Sequence, residues 1–78
     1  MNMHLEYTDT FGGDPNYAWV IRKSTEIPEG STENSIIRLA KAMLGLSDVP
    51  CDIEDHGDTI TLFPTNQNTI VFISFSED

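Results

Sequence analysis

Thr69-Ile70-Val71-Phe72-Ile73-Ser74-Phe75 is the stretch that decides the fold. It is β-branched or aromatic at nearly every position and apolar on both faces, the pattern of an inner strand with neighbours on each side. A strand of that kind needs partners, and the rest of the chain supplies them. Met3, Leu5 and Tyr7 alternate with His4, Glu6 and Thr8, which predicts a half-buried strand over residues 3–9. Tyr17 to Ile27 resumes the alternation, setting Tyr17, Trp19, Ile21 and Ile27 opposite Ala18, Val20, Arg22 and Ser24. Between these two strands, Phe11-Gly12-Gly13-Asp14-Pro15-Asn16 is dense in turn formers and reads as a hairpin loop. Cys51 to Asp55 and Thr59 to Phe63 give two more strands around a tight turn at His56-Gly57-Asp58, and Pro64 to Asn68 turns the chain into the last one.

One face of such a sheet must be covered, and a single segment can cover it. Pro28-Glu29-Gly30 closes the second strand, Ser31 or Thr32 offers a capping oxygen, and Glu33 places an anion in the first turn of a helix. Ile36, Leu39, Ala40, Met43 and Leu44 recur at helical spacing with Arg38 and Lys41 opposite, and Gly45-Leu46 suits a left-handed cap with its apolar contact. The helix is expected over residues 32–44, too short to be stable unless its apolar stripe lies on the sheet. The order is ββαβββ: an α+β single domain over 1–78, one antiparallel sheet packed against a single helix. Tyr7, Tyr17 and Trp19 are expected beneath that helix; left uncovered, they would mark a binding or dimerisation surface.

Charge narrows the functions. The chain of 78 residues has four Lys+Arg and thirteen Asp+Glu, a net charge of −9. Phosphate backbones and anionic lipid would repel it, so direct nucleic-acid binding and membrane association are both disfavoured. By segment the charge is −3 over residues 1–21, +1 over 22–41 and −7 over 42–78, the last containing no Lys or Arg. The single cysteine, Cys51, cannot pair within the chain, and a secretory leader pattern and long apolar runs are absent; the expectation is a cytoplasmic protein.

Catalytic and metal-binding chemistry find little support. Cys51 and His56 are five residues apart and so point to opposite faces of a strand, with no second Cys/His pair to close a zinc site. An EF-hand loop starting at Asp52 meets His56 at its fifth position and Phe63 at its twelfth. The Phe11-Gly12-Gly13 glycines precede a strand instead of a helix N-terminus and fit a hairpin turn better than a phosphate cradle. Nothing brings a nucleophile to a base, so the reading is non-enzymatic, without metal or cofactor; a small metalloenzyme ranks third. What remains is the acidic run Asp48, Asp52, Glu54, Asp55 and Asp58, with Asp14 and Glu26 as contributors. On a strand, Asp52 and Glu54 stand about 6.6 Å apart on one face, close to the spacing of successive phosphates along a DNA strand.

Tyr7-Thr8-Asp9-Thr10-Phe11-Gly12-Gly13-Asp14-Pro15-Asn16-Tyr17-Ala18-Trp19-Val20-Ile21-Arg22, the helix segment Ile37 to Gly45, and Gly57-Asp58 before Ile60 to Pro64 resemble a group of short acidic proteins found in phages, prophages and mobile elements. The resemblance spans most of the chain and implies a genomic setting without an active site. Small acidic phage proteins include inhibitors of host defence, anti-CRISPR proteins among them, some of which imitate DNA in charge. The leading expectation is therefore a phage or mobile-element protein that binds and inhibits a basic host protein or nucleoprotein complex through those seven acids, in the cytoplasm of the host cell. The alternative is a structural or homo-oligomerising protein whose acids serve solubility.

Overall fold

A computed structural model describes residues 1–77. Its elements are β1 (Asn2–Phe11), β2 (Asp14–Glu26), α1 (Glu33–Met43), β3 (Cys51–Asp55), β4 (Thr59–Pro64) and β5 (Thr69–Ser76). The strands form one sheet in the order β2-β1-β5-β4-β3, every neighbouring pair antiparallel. The run that is apolar on both faces is thus the middle strand. Because β5 lies between β1 and β4, Val71 and Ile73 face the helix fully buried while Ile70, on the other face, is also buried. The apolar core between sheet and helix comprises Met3, Leu5, Ile27, Ile36, Ile37, Ala40, Leu46, Ile60, Leu62, Val71 and Ile73.

The helix forms where its caps are. Thr32 accepts a hydrogen bond from the Ser35 amide at 3.2 Å, which fixes the N-terminus. At the other end Gly45 takes φ +72°, the Leu46 amide donates to the Lys41 carbonyl at 2.7 Å, and the Gly45 amide donates to Ala42 at 3.3 Å. These are the two bonds of a Schellman cap, and the buried Leu46 supplies its apolar contact. The stripe facing the sheet differs from expectation by one position: Ile36, Ile37 and Ala40 are buried, whereas Leu39 is exposed. With 100° between successive residues, the stripe is centred between Ile36, Ile37 and Ala40, and Leu39 falls on its margin.

The β1–β2 hairpin is longer than its turn formers suggest. Only Gly12 and Gly13 make the turn, both with positive φ (62° and 87°), as the twist of a two-residue hairpin requires. Asp14, Pro15 and Asn16 belong to β2. The irregularity sits further along: Thr8 pairs with Val20 but Thr10 with Pro15, so Asn16, Tyr17, Ala18 and Trp19 all stand opposite Asp9. The Asp9 carboxylate holds this bulge together, accepting from Asn16 Nδ2 at 2.8 Å and from the Ala18 amide at 2.9 Å. Tyr17 there adopts φ +56°, a left-handed geometry uncommon outside glycine.

That bulge, and the position of β2 at the sheet edge, overturn the expected burial of the aromatic face. Tyr7 packs against the core and meets Trp19 edge-to-face at 5.0 Å between ring centroids. Tyr17, Trp19 and Ile21 are nevertheless 49%, 41% and 43% exposed. The core beneath α1 draws its strand residues from β1, β4 and β5 and none from β2. The bulge also turns the Tyr17 hydroxyl toward Glu6, on the face away from the helix, where it donates to Oε1 at 2.6 Å.

Candidate functional site: the acidic edge of the sheet

β3 is the edge strand opposite β2, and its register assigns each acid a face. Asp52 is opposite Phe63 and Glu54 opposite Thr61, so both project from the face that α1 leaves uncovered. Glu54 ends a row that crosses the whole sheet through Thr61, Phe72, Glu6 and Arg22. At the far end of that row Arg22 Nε lies 3.1 Å from Glu6 Oε2. The Tyr17 hydrogen bond, followed by Arg22, holds the Glu6 carboxyl below the usual range against the effect of its partial burial, and the same bond pushes the Tyr17 phenol up. Glu6 thus stays ionised, with its charge balanced by Arg22. On β3, the ion-pair partner of Glu54 among the described residues is His56, whose Nε2 lies 3.3 Å from Oε1 in an exposed pair.

Asp55 is opposite Ile60 and takes the helix side. Its carboxylate accepts the Gly57 amide at 2.8 Å, shaping the turn into β4. That amide, and then the carboxyl of Glu33 in the first turn of α1, hold Asp55 below the ordinary carboxylate range, while the hydrogen bond to Asp55 pushes Glu33 up. Glu33 extends the acidic edge, a membership invisible in sequence because the contact joins positions 22 residues apart. Asp58 is exposed within the turn, and Asp48 is exposed in the loop that enters β3.

The structure therefore brings Asp52, Glu54, Asp55 and Asp58 together on one hairpin, with Asp48 just before it. Asp14 and Glu26 do not join them. They are the two ends of β2, on the opposite edge, four strand spacings or about 19 Å away across the sheet. The Cys51 thiol faces its own loop, donating to the Val49 carbonyl at 3.5 Å. Burial pushes its pKa up, with Lys41 opposing, so little thiolate forms at neutral pH. Among the described residues no three His, Cys, Asp or Glu side chains are grouped as metal ligands would be. A second polar group lies on the uncovered face: His4 Nδ1 is 2.8 Å from Ser24 Oγ and its Nε2 is 2.7 Å from Ser76 Oγ. Register explains it: Ser24 on β2 is directly opposite His4, and Ser76 on β5, opposite Asn2, is the diagonal neighbour of His4 on the same face.

The 11-residue helix is neither long nor apolar enough to cross a membrane. Comparison with family models, with curated proteins and with solved structures finds no match.

Proposed function

We propose that the chain is a non-catalytic binding protein whose β3–β4 hairpin docks into a basic, nucleic-acid-binding surface of a host defence complex and inhibits it, in the manner of a DNA-imitating anti-CRISPR protein from a phage or mobile element. The observation that carries this reading is the contrast between the two ends of one row of side chains. The Glu6 charge is balanced by Arg22 and its carboxylate is held by the Tyr17 hydroxyl, whereas Asp52 and Glu54 point outward from an exposed edge strand, and no lysine or arginine occurs after Lys41. Acids exposed on an edge strand, with no lysine or arginine partner, present negative charge at regular spacing, which favours encounter with a cationic groove and sets its orientation.

Double-stranded DNA is the natural competitor for such a groove. Tagged protein incubated in lysate of the cell it comes from should retain a basic protein or nucleoprotein that added double-stranded DNA releases, and that 0.5 M salt also releases. Retention indifferent to both DNA and salt overturns the reading, because contacts made by exposed carboxylates are screened within about 10 Å at ordinary ionic strength.

A further inference from the structure

The two edges of this sheet are not alike, and the difference points to a second copy of the chain. Edge strands expose a row of unpaired amides and carbonyls, and proteins protect them by keeping them short or charged. β3 has both protections, with five residues that include Asp52, Glu54 and Asp55. β2 is long, and its charges between Pro15 and Thr25 are confined to the adjacent Arg22 and Lys23. It is 13 residues long, and from Pro15 to Thr25 it contains no acid. Its two cations are already engaged, Arg22 with Glu6 and Lys23 through Nζ to the Met43 carbonyl at 2.8 Å, at the C-terminal end of α1. Beside these cations the edge exposes apolar side chains: Trp19 and Ile21 on the helix side, with Tyr17 at the bulge and the half-buried Val20 on the other face.

We infer that β2 pairs antiparallel with β2 of a second copy, joining two five-stranded sheets into one of ten strands about a two-fold axis. This proposal concerns the edge opposite the acidic hairpin and does not depend on what that hairpin binds. Three observations select a second copy as the occupant. The segment is self-complementary when centred on Ile21: Ile21 meets its own counterpart, Trp19 lies across from the aliphatic stem of Lys23, and Val20 across from Arg22, so no two like charges face one another directly. Isologous pairing closes at two copies, where pairing β2 with β3 would build an open chain. Charge makes the third selection. For molecules of net charge −9, union through β2 sets the two acidic hairpins at opposite ends of the joined sheet, about 43 Å apart at ~4.8 Å per strand, several Debye lengths at physiological salt. Union through β3 would press them together.

Sedimentation equilibrium tests this from roughly 1 to 500 μM protein at low and at high salt. The expected result is a shift from the 8.7 kDa monomer to twice that mass, undiminished or strengthened by salt as repulsion between the two chains is screened. Salt-strengthened association separates this interface from binding by the acidic hairpin, which salt weakens. Ile21→Lys should abolish the dimer by placing two cations at the axis, while Ile53→Lys on the other edge should leave it intact. Hydrogen exchange of the unmodified chain provides a measurement independent of how the variants fold: outward-facing amides between Ala18 and Ser24 should slow as concentration rises. A monomer throughout the range, exchange of those amides independent of concentration, or a dimer lost with Ile53→Lys and kept with Ile21→Lys would each overturn the inference.

Discussion

Asp9 shows what one side chain does when the backbone around it is irregular. Its carboxylate accepts from two donors, the side-chain amide of Asn16 and the backbone amide of Ala18, the second of which the bulge has removed from the regular ladder. The Asn16 bond, ahead of that from Ala18, holds the Asp9 carboxyl below its ordinary value despite some desolvation. A depressed folded-state pKa means that the unfolded chain binds the proton more readily, so Asp9 contributes stability above the unfolded aspartate value of about 3.9 and loses it as pH falls through the lower folded value. The side-chain amide resonances of Asn16 should therefore titrate below about pH 4. In Asp9→Ala that titration should vanish, and Trp19 should become more accessible to a fluorescence quencher at neutral pH. An Asn16 signal that does not move between pH 5 and pH 2 would contradict this account of the bulge.

Elements are where the sequence was most legible, because periodicity, caps and turns are local. The helix is an example: Thr32, Gly45 and Leu46 are the residues that begin and end it, as their types and spacing lead one to expect. Gly45→Ala should lower stability by about 1–2 kcal/mol, since a Cβ there would meet no neighbouring atom and the cost is the left-handed backbone alone. Gly45→Asn should cost less, because asparagine tolerates that conformation; thermal melts of the two variants compare them, and equal losses would contradict the cap. The strand order with β5 in the middle was foreshadowed by its two apolar faces. Register and coverage were not. Whether Trp19 is buried depends on how far an 11-residue helix reaches across five strands, and whether Tyr17 joins it depends on a bulge created by Asp9, 8 residues away in sequence. The margin of the helical stripe, where Leu39 and Ile37 exchange roles, is equally a property of packing.

On the scale of the whole molecule, the sheet separates two kinds of surface. One edge is long and partly apolar, the other short and acidic, and three strands set them about 19 Å apart. Composition revealed the size of the charge and its concentration after Lys41. It could not reveal that Asp14 and Glu26 would fall on the far edge, that Glu33 would arrive beside Asp55 from the helix, or that the Glu6 charge would be balanced by Arg22 from β2 while Glu54 in the same row is left with an exposed histidine. These are long-range pairings set by strand order. They divide the acids into those occupied within the fold and those free to meet another molecule, and the proposed function rests on the second set. The measurement that tests it most directly is a quantitative capture comparison between the unmodified chain and the double variant Asp52→Lys, Glu54→Lys. Both substitutions lie on exposed positions of an edge strand, so circular dichroism and melting should be nearly unchanged. The account predicts that a basic nucleic-acid-binding partner is retained by the unmodified chain and reduced at least tenfold by the variant; equal capture by the two would contradict it.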